Sequence, residues 1–371
     1  TTLWKHFETM PDPRVERTRK HKLEDVVTIA LCGVISGAED WVTVAMYGRS
    51  KQTFFQGFLE LPNGIPSHDT FGRIFSLLNP EAFDRSMAGW VAEMAGSSAG
   101  QHVAIDGKTI RRSFARANKR SGVHMVSAWV QANHAVFGQV KVDEKSNEIT
   151  AIPKLMAVLE LQGATVTIDA MGCQEEIAKQ IVEEKEGDYI LAVKGNQGTL
   201  HADVKLYMDD AVERNFAGIE HKQEVQAEKG HGRIETRQVW ATSEIEWLKK
   251  RHNWAGIRSL VLVESTRKIG DAISAERRYF ISSLAADKVR WIAQCVRNHW
   301  SVENQLHWCL DVSFGEDNSR ARMGYSAENL SRLRRLALML LKQEKTAKVG
   351  IKSKRHNAGW DEQYLLKVLK I

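Results

Sequence analysis

Residues 102–113 read HVAIDGKTIRRS, and the first half of this stretch decides the fold. His102 to Ile105 is a short apolar run of the kind that forms a buried strand, and it closes on Asp106-Gly107. An apolar strand that ends in Asp places a carboxylate on the carboxyl edge of a sheet, where ligands of open α/β sheets gather. The pattern recurs in TIDAMGC, residues 167–173, where the run Ala164 to Ile168 ends at Asp169. The glycines that follow are expected to let a ligand or ion approach the backbone.

Working outward, Val123–Val130 and Ala135–Val142 flank a turn-like Gln131-Ala-Asn-His and read as strands of a meander. Ile152–Leu161 reads as an amphipathic helix opened by Pro153, Gln174–Lys185 as a helix, and Tyr189–Val193 as a strand. Three strands, a helix, a strand, a helix and a strand form the ribonuclease-H-like (retroviral-integrase-like) succession of an α/β core. Leu200–Phe216 reads as a helix. A β-rich insertion follows at about 217–286, with strands at Arg233–Ala241, Ser259–Glu264 and Arg277–Ser283. A last core helix is expected over about Asp287–Leu310, and a further basic helix over about Ser326–Glu344.

Residues 1–98 read as an all-helical N-terminal domain. Leu23–Gly37 is apolar on every side, and Ser67 or Asp69 caps a helix whose inner face is Phe71, Ile74, Phe75 and Leu78. Pro80 starts the next helix, with Phe83 and Met87 inward. The stretch AGSSAG, residues 95–100, reads as a linker. The expected organisation is 1–98 helical and DNA-associated, 99–345 the catalytic core, and 346–371 a basic C-terminal tail.

With 371 residues, 43% of them hydrophobic, the chain is long enough for more than one domain and too apolar for disorder. Its longest apolar run, Val26 to Ala38, is too short to span a bilayer and is flanked by acidic residues. Cys32, Cys173, Cys295 and Cys309 form no CxxC pair, which argues against a zinc ribbon and for a reducing cytosol.

The 52 Lys and Arg against 46 Asp and Glu are unevenly placed. From Ser319 onward there are 13 basic and 4 acidic residues, so the net positive charge resides in the C-terminal region. Between Arg332 and Arg355, nine cations face Glu344 alone. A helical stripe of Leu333, Leu336, Leu340 and Leu341 is expected to dock there, leaving Arg332, Arg335 and Lys342 exposed for phosphates. Two smaller basic runs lie upstream, Arg14 to Lys22 and Lys108, Arg111, Arg112, Arg116, Lys119 and Arg120. Three such runs, one directly after Asp106, point to a polyanion partner.

A third acidic candidate, Glu303, lies in RNHWSVENQLHWCLDVSFGED, residues 297–317. In a continuous helix His299, Glu303 and His307 share one face at i, i+4 and i+8. Three carboxylates are what Mg²⁺ (or Mn²⁺) takes, and two such ions about 3.5–4 Å apart serve phosphodiester displacement. A His-rich metallohydrolase is the rival reading, but the HExxH spacing is absent. Lys108, Arg111, Arg112, Lys194, Asn196, Arg297, His299, Trp300 and His307 are the candidate DNA contacts.

AIDGKTIRRS, TIDAMGC and the Glu303 block together resemble the three motif blocks of DDE transposases of bacterial insertion sequences, more narrowly the H-repeat-associated, ISAs-type family. KHKLEDVVTIALCGVISGAEDW (20–41) and IPSHDTFGRIF (65–75) resemble the helical domain that precedes the core in that family. The resemblance implies a catalytic and metal-binding triad of Asp106, Asp169 and Glu303, with two divalent ions per active site. It further implies action on the element's terminal inverted repeats and on target DNA as a homodimer, without a nucleotide cofactor or a membrane. The expected location is the bacterial cytoplasm, at the nucleoid. Related enzymes carry Tyr-x2-Arg-x3-Glu-x6-Lys around the glutamate; here those positions hold Val296, His299 and Leu310. Arg297 and His299 are expected to share the role of the arginine. The alternatives are a domesticated, non-catalytic DNA-binding protein and a metal-dependent nuclease without strand transfer.

Overall fold

The computed structural model describes residues 6–7, 10–95, 97–113, 122–132, 134–142, 147–230 and 233–370. Arg116, Lys119 and Arg120 of the second basic run lie outside them. The chain forms two compact units, one of residues 1–97, 107–145 and 302–371, the other of 98–106 and 146–301. Among the described residues nine strands occur, in chain order β1 (His102–Thr109), β2 (His124–Val130), β3 (Ala135–Lys141), β4 (Thr165–Ile168), β5 (Asp188–Val193), β6 (Lys222–Gly230), β7 (Arg233–Thr242), β8 (Ser259–Ile269) and β9 (Ala272–Ser282). Strand β1 passes from one unit to the other between Asp106 and Gly107.

In the first unit the helix Leu23–Ile35 is buried on every side, as its all-round apolar sequence requires. Ser67 caps His68–Leu77, accepting from the Thr70 N–H at 3.3 Å, and Phe71, Ile74 and Phe75 face inward. Both helices pack against Ser326–Gln343, which is buried from Ser326 to Leu341. Asn329 fixes this packing by donating to the Phe75 and Leu78 carbonyls, each at 2.8 Å. The N-terminal helices therefore share a core with the C-terminal ones. Strands β2 and β3 form an antiparallel hairpin with a bulge at Ala128/Trp129.

The expected exposure of the basic C-terminal helix is overturned at Arg332 and Arg335, while Lys342 is half-buried. Its leucine stripe is buried, but so are Arg332, Arg334 and Arg335, at 5%, 1% and 2% exposure. Arg332 pairs with Asp84 at 2.7 Å, Arg334 donates to the Glu39 carbonyl at 2.9 Å, and Arg335 pairs with Glu316 at 3.1 Å. The helix is central, so its cations are neutralised within the protein. Nor is the terminal segment a tail of free charges: it forms the helices Ile351–Trp360 and Glu362–Leu369, burying Lys354, Arg355, Tyr364 and Leu365. Lys345, Lys348 and Lys352 stay exposed.

In the second unit the strand order is β1-β4-β5-β9-β8-β7-β6. β1, β4 and β5 run parallel; β9 joins β5 antiparallel and the rest follow as antiparallel neighbours. The β-rich insertion thus extends the core sheet. It contains a strand, β6, that the sequence reading lacks, because KQEVQAEKG carries almost no apolar signal. One face of the insertion packs Val239, Ala241, Val261, Val263 and Phe280 against Val289, Ile292, Ala293 and Val296 of the helix Val289–His299. The helix expected from Ile152 begins earlier, as Glu148–Ala157, with Pro153 in its interior. Burial of Ala151, Ile152, Leu155 and Met156 offsets the one hydrogen bond that proline removes.

The long helix expected over Asp287–Leu310 is interrupted. Val289–His299 ends, a π-turn covers Glu303–His307, and Trp308–Phe314 follows. A π-turn adds a residue to the turn and shifts the helical phase. His299, Glu303 and His307 therefore do not form the i, i+4, i+8 face that a continuous helix predicts. Gly315, at φ 60°, closes the last segment in the left-handed conformation that favours glycine. Among the described residues no helix is long and apolar enough to cross a membrane.

Candidate active site

Asp106 and Asp169 are neighbours by strand register. β1 and β4 pair in parallel with Ile105 opposite Ile168, so the two aspartates are the next pair along. Adjacent strands lie about 4.8 Å apart. Side chains alternate along a strand, so His102, Ala104 and Asp106 share a face with Thr165, Thr167 and Asp169. That face is covered by the helix Val289–His299. Trp291 Nε1 donates to Thr165 Oγ1 at 2.9 Å, and His299 Nδ1 lies 2.9 Å from Thr167 Oγ1. Thr167 Oγ1 also lies 2.7 Å from His102 Nε2. The segment leading into Glu303 is thereby pinned to the sheet face that bears both aspartates.

Asp169 is half-buried and caps the turn Ala170–Gly172, accepting from the Met171 N–H at 3.1 Å and the Gly172 N–H at 3.4 Å. Burial, then the charge of Glu148, push its carboxyl above the usual range, while those two N–H groups and Lys194 pull it back. Gly172 does not open room for a ligand: a Cβ there would meet Ile168 Cγ2 at 2.2 Å, so close packing demands the glycine. Among the described residues no group of three or more His, Cys, Asp and Glu side chains is assembled as a metal centre. Asp106 and Asp169 nevertheless provide two hard oxygen donors side by side, which is the donor chemistry Mg²⁺ prefers.

The other sequence-selected residues are dispersed in role. Lys194 is exposed just past β5. Asn196 donates to the Ala170 carbonyl at 2.6 Å and so braces the turn after Asp169. Arg297 pairs with Glu228, with Nε to Oε1 at 3.1 Å. Trp300 is 50% exposed and stacks under the Arg278 guanidinium at 4.6 Å. Glu303 is exposed, not set among buried apolar groups: Leu306 and Leu310 turn inward, but Trp308 is itself 56% exposed. Arg111 and Arg112 are exposed, and Arg111 Nε meets Asp317 at 3.2 Å. Lys108, expected as a DNA contact, is buried among carboxylates. In His307, burial and then Arg335 and Lys108 push the ring pKa down to about 3.

Sequence reasoning missed His102, Thr167 and Glu148. A signal existed for the first two: polar residues at even spacing before the aspartates in otherwise apolar strands. Burial holds the rings of His102 and His299 neutral, with pKa values pushed down to about 3 and about 4. In the unfolded chain both titrate near 6.5. Between pH 6.5 and 4 the unfolded state therefore binds more protons, so stability is full above 6.5 and falls as pH drops through this window. Relative to wild type, His102→Gln should lose about 2 kcal/mol less between pH 7 and 5 in chemical denaturation. Equal slopes in the two proteins would show that His102 is already protonated in the fold.

Comparison with known proteins shows the family of the chain. Residues 97–340 match the family model described as Transposase DDE domain, and residues 4–91 match the one described as DDE_Tnp_1-associated. The chain belongs to the DDE transposase family, in its H-repeat-associated group. It is 38% identical over 374 aligned residues to the H repeat-associated putative transposase YhhI of Escherichia coli K12, covering 99% of this chain and 97% of that one. An uncharacterized protein in the dhlA 3' region of Xanthobacter autotrophicus is 47% identical over 283 residues, covering 76% of this chain and 94% of that one. A piggyBac transposase synaptic complex with hairpin DNA matches at 10% identity and a TM-score of 0.43, over 99% of this chain and 76% of that one. The family is one of DNA-cleaving enzymes, and the chain's function is that of a transposase.

Proposed function

We propose that this transposase binds the terminal inverted repeats of its own element as a homodimer, cleaves the DNA there and joins the freed ends to target DNA. The carrying observation is that Asp106 and Asp169 directly follow the registered pair Ile105/Ile168, on the sheet face covered by the helix that leads to Glu303. A parallel β1-β4-β5 core of this kind supports a ribonuclease-H-like catalytic domain. Asp106, Asp169 and Glu303 would hold two Mg²⁺ or Mn²⁺ ions, which when bound activate the attacking oxygen and stabilise the leaving one. Asp169 is fixed by its turn, so its carboxylate is oriented before DNA arrives. Arg111, Arg112 and Lys194 are exposed cations that hold backbone phosphates, and the exposed indole of Trp300 offers a stacking surface for a base. No nucleotide cofactor is required, and the enzyme works at the nucleoid.

The test uses the full chain, Mg²⁺ and a supercoiled plasmid carrying both ends of the element. Cleavage at the ends and joined products are expected. Tight binding to the ends without cleavage would mean a domesticated DNA-binding protein. Cleavage that never yields joined products would mean a nuclease.

A further inference from the structure

We infer that Lys108 is a positioning residue: it does not touch DNA but fixes the end of β1, two residues past Asp106, to the helix Trp308–Phe314 and the acidic residues that follow it. This rests on the reading of Asp106 and Glu303 as catalytic. Lys108 is only 8% exposed, although it stands in a basic run that reads as a phosphate-binding loop. Its ammonium lies 2.6 Å from Asp311 Oδ1, 3.4 Å from Asp317 Oδ1 and 3.4 Å from Glu316 Oε2. A cation enclosed by three carboxylates is already neutralised, and reaching a phosphate would mean breaking an ion cluster in which Lys108 and Glu316 are desolvated.

The cluster is itself anchored. Glu316 is fully buried and is held by Arg335 at 3.1 Å and by Ser331 Oγ at 2.7 Å, both on the central helix Ser326–Gln343. Asp317 receives the Arg111 backbone N–H at 3.2 Å, a second tie from the end of β1. Lys108 is two residues past Asp106, on the same face of the strand. Asp311 is eight residues past Glu303, in the helical stretch that runs from the π-turn to Phe314. A displacement of about 1 Å at a reacting group can cost about 100-fold in rate. The Lys108 cluster is therefore placed to act on rate, not on DNA affinity.

The experiment compares Lys108→Met, Asp311→Asn and the double variant with wild type, using the full chain and a plasmid bearing the element's ends. Three quantities are read: single-turnover cleavage at saturating DNA, the dependence of affinity on salt, and the thermal midpoint. Lys108→Met should slow cleavage at saturating DNA by at least about 30-fold, with affinity within about threefold and an unchanged salt slope. Asp311→Asn, at a half-exposed and therefore milder site, should slow it in the same way, and the double variant should be no worse than Lys108→Met. A salt slope reduced by about 0.9 in Lys108→Met, with cleavage at saturating DNA intact, would make Lys108 a phosphate ligand and overturn the inference. So would a Lys108→Met loss of rate matched only by a loss of folded protein while folded Asp311→Asn cleaves normally. Asp106→Asn is the control: if it still cleaves, the underlying reading fails, whatever Lys108 does.

Discussion

Replacing Asp106 or Asp169 by Asn should lower Mg²⁺-dependent cleavage of the element's ends by about 10³-fold or more, while binding to those ends stays within a few-fold of wild type. The size follows from the chemistry: a carboxylate that helps hold the ions controls several kcal/mol of charge stabilisation in the transition state, and each 1.36 kcal/mol is tenfold in rate. Affinity is spared because phosphates are held by cations, not by carboxylates. Asn is a better probe than Ala at position 169. The Asp169 carboxylate also caps its turn, and an Asn side-chain oxygen still accepts from Met171 and Gly172. Ala would remove cap and ligand together, mixing a loss of about 1 kcal/mol in local stability with the loss of chemistry. Substantial cleavage by either folded Asn variant would remove that residue from the catalytic set.

The aspartates were legible because their signal is local. An apolar run of four or five residues closed by Asp and a small residue needs only strand burial to put the carboxylate at the sheet edge. That the two runs are adjacent follows from parallel pairing of β1 with β4, which element order suggests and register establishes. The surroundings of Glu303 were less legible. A continuous amphipathic pattern from 287 to 310 reads as one helix, and nothing in RNHWSVENQLHW announces a π-turn, whose added residue is selected by packing on both sides. The shared face of His299, Glu303 and His307 disappears with it. What replaces it is a tether: His299 is held to Thr167, and Asp311 is held to Lys108, one on each side of Glu303 in the sequence.

Charge was the least legible property, for a reason that is general. Counting cations gives net charge, not exposure, and a basic helix at the centre of a fold can be matched by acceptors far away in sequence. Arg332 finds Asp84, Arg334 the Glu39 carbonyl and Arg335 Glu316, partners 248, 295 and 19 residues distant. Arg332 and Arg334, which suggest a phosphate-binding surface, thus tie the N-terminal helical region to the C-terminal helix.

Arg355 gives the sharpest separation of these two roles. Its side chain is 3% exposed, donates to the Val34 carbonyl at 2.9 Å and to that of Ala38 at 3.4 Å, also reaches the Ser313 carbonyl, and lies 4.2 Å over the Phe314 ring. Burial lowers its pKa to about 10, which still leaves it protonated at neutral pH. Arg355→Ala would leave buried carbonyls without their donors and a hole beside Phe314. The expected cost is about 3–5 kcal/mol, or roughly 10 °C in thermal midpoint for a unit of this size. Its salt slope for DNA binding should not change. Lys345, Lys348 and Lys352 are exposed in the same stretch, and changing all three to Ala should do the reverse. The midpoint should hold, while the slope flattens by about 0.9 for each phosphate that is no longer neutralised. If Arg355→Ala kept the wild-type midpoint and flattened the slope, its guanidinium would be engaged with DNA and not with the carbonyls of Val34, Ala38 and Ser313. The C-terminal helices would then be a surface element and not part of the core.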